Sequence, residues 1–175
     1  MGVQYNFMET RNINYPYLPE DRTILYVPED NVYMVLAKEN AKKHRSNLTQ
    51  SHCAVLVKNN KVIGLGAIGN NPVHIKGCLR VSLNVPTGTG YDLCEGCSPK
   101  FHSEQSAIRD AKAKGNDLKG ADLYFWGHWW CCESCWNTMI QAGIRNVYIL
   151  EHGETLFNKE HPHNIIGKQF NYYGT

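Results

Sequence analysis

Two short motifs in the sequence combine residue types that bind zinc. The first places His102 two positions before Glu104, and the second is a Cys-x-x-Cys pair formed by Cys132 and Cys135. Zinc in proteins takes four ligands in a tetrahedron, and a catalytic site keeps one of the four positions for water. A Cys-x-x-Cys pair at a helix start puts both sulfurs on one side of the first turn, where the helix dipole favours thiolates. We therefore predict a zinc site made of His102, Cys132 and Cys135.

Glu104 is the candidate catalytic residue of this site. It stands two positions from His102, so the two side chains point in different directions on a regular helix. At a helix start, however, its carboxylate can reach a water held at the metal. There it would take a proton from that water and return it to the substrate, which is general acid and base catalysis.

The elements around these motifs predict an α/β domain. The sequence favours helices over 31–45, 78–85, 101–114 and 132–142, a hairpin over 53–66 that turns at Asn59-Asn60, and strands over 121–126 and 144–150. This order is typical of a three-layer α/β/α domain with a mixed central sheet. Residues 1–30 are predicted to be an irregular N-terminal arm, residues 31–151 the domain and residues 152–175 a C-terminal tail.

The composition limits the classes of function. The 175 residues include 18 Lys and Arg against 16 Asp and Glu, which gives a formal net charge of +2. A balance this close to neutral disfavours a nucleic-acid-binding protein, which usually presents a basic face. No apolar stretch is long enough for a membrane span, and the first residues lack the apolar run of a secretory signal. We therefore expect a cytoplasmic protein, in which paired cysteines bind metal more often than they form disulfides.

The motifs and their flanking segments resemble the deoxycytidylate deaminase branch of the cytidine deaminase superfamily. The H-x-E and C-x-x-C pattern is typical of zinc deaminases. The segments that carry the resemblance are Cys78-Leu-Arg80, Gly90-Tyr-Asp-Leu-Cys94, His102-Ser-Glu-Gln-Ser-Ala-Ile108, Gly120-Ala-Asp-Leu-Tyr124 and Ile140-Gln-Ala-Gly-Ile-Arg-Asn-Val147. Together they extend the resemblance over about residues 31–151, and the resemblance implies a cytidine-deaminase-like fold for this domain.

The resemblance implies a zinc-dependent hydrolase that deaminates a cytosine nucleotide, with dCMP converted to dUMP and ammonia. Water would add at C4 of the ring while Glu104 moves protons to N3 and to the leaving amino group. Family members commonly assemble, so a homo-oligomer is also implied. In two places the chain departs from the family: Cys131 stands where a proline usually precedes the first cysteine, and residues 126–130 are longer and more aromatic. These departures leave open a deaminase of another nucleoside, nucleotide or base.

A second cysteine pair, Cys94 and Cys97, precedes the first motif. One hypothesis joins this pair with Cys132 and Cys135 in a non-catalytic four-cysteine zinc module. The 34 residues between the pairs exceed the usual separation of roughly 15–20 residues. Since some members of the resembled family carry a structural zinc, the pair is instead predicted to contribute to a second zinc site, unless it is simply two reduced thiols in a loop. Further donors considered for this second site are Cys53, His52, His74 and His128.

Candidate substrate-binding residues lie in two loops. The family uses an asparagine in the turn after the hairpin to hold the sugar, and Asn70 and Asn71 occupy that region, where a plain turn is the alternative. Because bases often stack on aromatic faces, Trp129 and Trp130 are predicted to be open and to line the pocket, with core packing as the alternative. His128, in the same loop, is a candidate for contact with the substrate.

Two other cysteines are predicted to be structural. Cys78 is interpreted as a core residue. Cys131 is adjacent to a predicted zinc ligand, but we expect its side chain to point away from the site and to pack as a small buried apolar group.

Overall fold

A five-stranded mixed sheet forms the centre of the computed structural model, which describes residues 16–44, 50–68, 77–86 and 88–170. The strands lie in the order β1-β5-β4-β2-β3. In chain order the elements are β1 (Ile24–Val27), α1 (Val32–Lys43), β2 (Cys53–Lys58), β3 (Lys61–Ala67), α2 (Leu79–Ser82), α3 (Ser103–Ala113), β4 (Asp122–Trp126), α4 (Glu133–Gln141), β5 (Asn146–Leu150) and α5 (Gly153–Phe157). Three short 3-10 turns cover Tyr91–Leu93, Glu95–Cys97 and Pro99–Phe101.

The predicted hairpin is confirmed, and its turn residues explain it. Asn59 and Asn60 both have positive φ, at 50° and 59°, which is the backbone conformation that a tight two-residue hairpin requires and that asparagine tolerates. The strand β2 therefore pairs antiparallel with β3, and its other edge pairs antiparallel with β4. The two remaining pairs, β4 with β5 and β1 with β5, are parallel. The sheet is thus mixed, as predicted.

Helices cover both faces of the sheet, which confirms the three-layer α/β/α arrangement. On one face, Ile108 of α3 and Trp136 of α4 belong to the same buried cluster as Phe125 of β4. On the other face, Met34 of α1 and Phe157 of α5 are in a separate buried cluster. Each strand of the centre contributes alternate side chains to the two clusters, as the period of a strand dictates.

Two glycines of β3 allow α3 to lie directly on the strand. A Cβ added at Gly66 would collide with the backbone of Ser103 and Ala107, and one added at Gly64 would lie 2.5 Å from the carbonyl oxygen of Ala107. The absence of side chains at these two positions therefore sets how closely the start of α3 approaches the sheet.

The predicted boundaries differ from the structure at both ends. The prediction of an irregular arm is wrong for residues 24–27, because they form β1 at the edge of the sheet. Arg22 secures this edge by donating hydrogen bonds to the carbonyl oxygens of Ile144 and Arg145, at 3.1 and 3.3 Å. The predicted tail contains the short helix α5, and its Gln169 donates a hydrogen bond to the carbonyl oxygen of Ser51 at 3.0 Å.

The helix predicted over 78–85 is reduced to the four residues of α2. The segment between it and α3 is built of 3-10 turns instead of longer elements. Within the part of the chain that the structure describes, no helix combines the length and the apolar character that crossing a bilayer requires.

Candidate metal centre

The N-terminal ends of α3 and α4 bring three potential metal ligands together. His102 is the N-cap of α3 and Cys132 is the N-cap of α4, both with extended backbone, and Cys135 lies in the first turn of α4. The Nδ1 atom of His102 lies 3.4 Å from the sulfur of Cys132 and 3.4 Å from that of Cys135. The three ligand atoms all lie within 4.8 Å of one another. The structure therefore gathers the three residues that the two motifs predict.

The other ring nitrogen of His102 is held by the backbone. Its Nε2 atom lies 3.2 Å from the carbonyl oxygen of Cys97. A carbonyl only accepts hydrogen bonds, so Nε2 carries a proton, and Nδ1 is the ring nitrogen that faces the two sulfurs. The ring of Tyr91 meets the imidazole edge-on, with centroids 5.3 Å apart. The hydrogen bond from Nε2 to the carbonyl of Cys97 is of the kind that orients a metal-binding histidine from outside the metal site.

The two thiols of this group differ in protonation. The hydrogen bond from Cys135 lowers the pKa of Cys132 to about 5 against the opposing effect of burial, with His102 contributing further. The thiolate of Cys132 in turn raises the pKa of Cys135, and burial raises it further. Gln105 of α3 reaches across to α4, where its amide lies 3.0 Å from the Ser134 hydroxyl and 3.9 Å from the sulfur of Cys135. The centre thus favours at least one thiolate even without a metal.

Glu104 is buried beside this group, with 2% of its surface exposed. Its Oε2 atom has no hydrogen-bond partner among the residues that the structure describes. Burial raises the pKa of the Glu104 carboxyl, while the positive charge of His102 opposes that rise. A buried carboxylate oxygen without a partner is costly, and a metal with its water would satisfy it. One imidazole nitrogen and two thiolates are ligands that zinc prefers, so these residues fit a zinc ion.

Ser103 ties the start of α3 to the start of β2. Its hydroxyl donates a hydrogen bond to the carbonyl oxygen of His52 at 3.0 Å and lies 2.8 Å from Nδ1 of the same histidine. His52 therefore contacts the start of α3 through Ser103 and does not lie with Cys94 and Cys97. Neither this contact nor the role of Gln105 was predicted, because each joins residues that are far apart in sequence.

The expectation that Cys131 points away from the site is wrong. Its thiol is 1% exposed and faces Glu104. Burial raises the pKa of Cys131 well above its usual range, and the neighbouring charge of Glu104 raises it further. The residue is buried as predicted, but it packs against the catalytic candidate.

The loop before α4 forms an aromatic wall next to this site. The His128 ring stacks on Phe125, with centroids 5.9 Å apart and planes 3° from parallel. Its Nδ1 atom accepts hydrogen bonds from the backbone N–H groups of Trp129 and Trp130, at 3.0 and 3.4 Å. Burial, with the charge of His102, lowers the pKa of His128 to about 3. The ring is therefore neutral and carries its proton on Nε2.

The two tryptophans of this loop are placed differently. Trp129 is half-buried, whereas Trp130 is 5% exposed and belongs to the core cluster beneath α3 and α4. The prediction that Trp130 is open is wrong, because its ring fills the space between the loop and the sheet. The candidates Asn70 and Asn71 lie outside the described residues.

The second cysteine pair belongs to a separate group with an additional member. The ligand atoms of Cys78, Cys94 and Cys97 lie within 4.8 Å of one another, apart from the group that contains His102. A single four-cysteine site is therefore excluded. Cys78 is buried, as predicted, but it lies beside the pair and belongs to neither of the two apolar clusters.

None of the donors considered earlier completes this second group within the described residues. Cys53 lies instead in the cluster under α1, and His52 and His128 lie at the aromatic wall. His74 lies outside the residues that the structure describes. Cys78 was missed because it precedes Cys94 by sixteen positions, and only the fold of the intervening loop brings them together.

Comparisons with known proteins identify the family of the chain. Residues 27–151 match the family described as the cytidine and deoxycytidylate deaminase zinc-binding region. No curated protein sequence matches the chain.

Several solved structures are similar to this one. A diaminohydroxyphosphoribosylaminopyrimidine deaminase/5-amino-6-(5-phosphoribosylamino)uracil reductase from Thermotoga maritima is 27% identical with a TM-score of 0.43; the match covers 67% of this chain and 28% of that one. The dCMP deaminase of cyanophage S-TIM5, solved with dCMP and dUMP, is 21% identical with a TM-score of 0.46, over 67% of this chain and 76% of that one. RibD from Acinetobacter baumannii is 20% identical with a TM-score of 0.39, over 67% and 26%. The chain thus spans under a third of the Thermotoga and Acinetobacter proteins.

The family match extends over most of the chain and contains both motifs at the metal centre. The chain belongs to the cytidine and deoxycytidylate deaminase family.

Proposed function

We propose that the protein hydrolyses the amino group of a cytosine nucleotide, converting dCMP to dUMP and ammonia. The observation that carries this proposal is the buried carboxyl of Glu104, whose Oε2 atom has no partner among the described residues, beside the group of His102, Cys132 and Cys135. A carboxyl in that position can exchange protons with a base brought to the metal centre.

His102, Cys132 and Cys135 are the proposed zinc ligands. Bound there, zinc would act as a Lewis acid that makes a water molecule a better nucleophile near neutral pH. The hydrogen bond from His102 Nε2 to the carbonyl of Cys97 would keep Nδ1 directed at the metal. The two helix N-termini would stabilise the thiolate charges of Cys132 and Cys135.

Glu104 is the proposed proton carrier. Water adds to C4 of the cytosine ring, and the carboxylate takes the proton that this water loses. Glu104 passes that proton to N3. It then carries the proton of the new C4 hydroxyl group to the amino nitrogen as the C4–N4 bond breaks, so that ammonia leaves and the uracil ring forms. Burial of Glu104 excludes bulk water from these transfers.

The aromatic wall is the proposed support for the base. His128 is held in one orientation by Phe125 and by two backbone N–H groups, so its neutral ring can donate one hydrogen bond from Nε2. Trp129 is half-buried at the same loop and is the proposed stacking face, with Trp130 supporting it from below. Asn70 and Asn71 are proposed for the sugar on the resemblance alone.

The decisive experiment measures ammonia release from dCMP, CMP, deoxycytidine, cytosine and matched adenine and guanine compounds. We expect dCMP to be the best substrate. Glu104→Gln should keep its zinc and lose at least about 10²–10⁴-fold in turnover, the usual worth of general acid and base assistance. Preference for a different base would replace the proposed substrate, and full turnover by Glu104→Gln with zinc bound would contradict the proposed mechanism.

The ligand assignment has its own test. Cys132→Ala combined with Cys135→Ala should lower zinc content and stability together, because metal binding contributes to folding. Zinc content and thermal stability equal to those of the unaltered protein would contradict the assignment.

We also propose a homo-oligomer. In addition to the family resemblance, α2 and the residue after it expose the apolar side chains of Leu79, Val81 and Leu83, and a contact between copies would bury them. Light scattering should give a mass above the 19.9 kDa of one chain. A monomeric mass at micromolar concentration would contradict this.

A further inference from the structure

We propose that Cys78, Cys94 and Cys97 bind a second zinc ion, and that this ion fixes the segment that orients His102. The three sulfurs lie within 4.8 Å of one another, and those of Cys78 and Cys97 are 3.4 Å apart. Thiolate sulfur is the ligand that structural zinc sites prefer, and three converging thiolates supply three of the four positions of a tetrahedron.

The segment that carries these cysteines lacks an apolar core of its own. Between residues 77 and 100, leaving out residue 87, the buried residues are two cysteines and two glycines: Cys78, Gly88, Cys94 and Gly96. The large apolar side chains of α2 and of the residue after it are 50–69% exposed. Small protein segments without enough buried apolar surface commonly depend on a metal or disulfides. The buried thiols are thus the groups in this segment that can organise it.

The close packing of the three sulfurs favours a bound cation. Three thiols packed this closely cannot all ionise without a positive partner, and a divalent metal ion is the partner that removes all three protons. The geometry of the group therefore suits metal better than three neutral thiols.

The second group is connected to the first through one residue. Cys97 contributes its sulfur to the second group, and its carbonyl oxygen lies 3.2 Å from Nε2 of His102. A metal on the sulfur would fix the backbone of Cys97 and with it the hydrogen bond that sets the histidine tautomer. Loss of such an outer partner typically lowers metal affinity about 10- to 100-fold. This part of the inference rests on the proposed role of His102 as a zinc ligand.

Zinc analysis of the purified full-length chain tests the second site. We expect about two zinc ions per chain, and about one after Cys94→Ser with Cys97→Ser or after Cys132→Ser with Cys135→Ser. The matched control is Cys53→Ala, which removes a buried thiol far from both groups and should keep both ions. One zinc per chain that persists in the Cys94→Ser, Cys97→Ser variant would overturn the proposal.

A second measurement serves in case that variant does not fold. Cobalt added to the zinc-free Cys132→Ser, Cys135→Ser variant should give the absorption of thiolate-bound tetrahedral Co²⁺, one ion per chain. A spectrum without thiolate-to-cobalt bands would overturn the proposal. So would thiol titration showing that Cys78 and Cys97 are joined in a disulfide in the protein as isolated. Both readouts are independent of activity, so they can fail while the proposed deaminase activity holds.

The link between the two groups has a separate test. Cys94→Ser keeps the carbonyl of Cys97 but removes one ligand of the second ion. We expect it to weaken the zinc held at His102 by about 10- to 100-fold, measured by competition with a chelator. If the second ion is absent and the zinc affinity of the His102 centre is unchanged, the proposed link between the two groups is wrong.

Discussion

The two cysteine groups of this protein lie side by side but are held in place in different ways. His102, Cys132 and Cys135 stand at the first turns of two helices that pack on a central sheet. Cys78 is the N-cap of a four-residue helix, and Cys94 and Cys97 lie at the two ends of a 3-10 turn. The large apolar side chains of that helix and of the residue after it are exposed. The first arrangement is produced by the buried core of the domain. The second lies outside both apolar clusters of the described residues.

The contrast indicates which part of the protein is built before metal binds. A centre on helix ends inherits the rigidity of the helices, so its ligands are already close to their final geometry. A loop centre has to be ordered by its ligand, and its free energy of metal binding is largely spent on folding the loop.

Metal removal should separate the two regions most clearly. After chelation we expect amide protection over residues 78–101 to fall close to the level of an open loop. Protection in α3 and β4 should persist, because their backbone is held by buried apolar contacts. Hydrogen exchange with mass spectrometry measures both regions in one experiment. An equal loss of protection in both would show that the catalytic centre also depends on metal for its fold.

Trp130→Ala should damage the core that supports the catalytic centre. The ring is 5% exposed, and truncation of a buried tryptophan typically costs about 3–5 kcal/mol of unfolding free energy. Urea denaturation measures this loss. Trp129→Ala, at a half-buried neighbour, is the matched control and should cost clearly less. Equal losses would mean that the loop packs as one unit.

Gly66→Ala should disturb the catalytic centre and leave the loop centre intact. The added methyl group would collide with the backbone of Ser103 and Ala107 and push the start of α3 away from β3. Overpacking of this kind typically costs about 1–3 kcal/mol. Gly153→Ala is the control, because its nearest added contact is an ordinary 3.7 Å. Denaturation with zinc analysis checks both, and a variant as stable as the control would contradict the prediction.

Trp129→Ala should weaken substrate binding without loss of zinc. Removing a stacked aromatic ring typically costs about 1–3 kcal/mol per base, which is roughly five- to more than a hundredfold in affinity. The measurement is the Michaelis constant for the best substrate together with zinc content. A variant with unchanged kinetics would mean that the base binds elsewhere.

Arg80→Gln should have the smallest effect, confined to the loop centre. Its guanidinium lies 4.5 Å from the centroid of the Tyr91 ring and donates a hydrogen bond to the carbonyl oxygen of Thr89. An exposed cation–π contact is worth about 0.5–1 kcal/mol. We expect chelator extraction of the loop zinc to become about two- to fivefold faster. An effect on the catalytic zinc alone would contradict the separation of the two regions.

Local signals explain which features the sequence could predict. The hairpin follows from Asn59-Asn60, because asparagine tolerates the positive φ angles that both residues adopt. The catalytic group follows from two motifs that each begin a helix, and the core between those helices brings the motifs together. In these cases neighbouring residues carry most of the information.

Non-local contacts explain what the sequence could not predict. β1 has four residues and forms by pairing with a strand near the other end of the domain. Cys78 joins its group through a loop without regular periodicity, and Cys131 is turned towards Glu104 by packing at the start of α4. None of these three features can be predicted from neighbouring residues alone.

The position of β1 has a consequence for how the chain folds as it is synthesised. Ile24 pairs with Val147, 123 positions later. At a translation rate of about 5–20 residues per second, the first strand waits roughly 6–25 s for its partner. Contacts this distant in sequence also slow folding, because the loop must close before pairing stabilises it. We expect the edge with β1 to be the last part of the sheet to form.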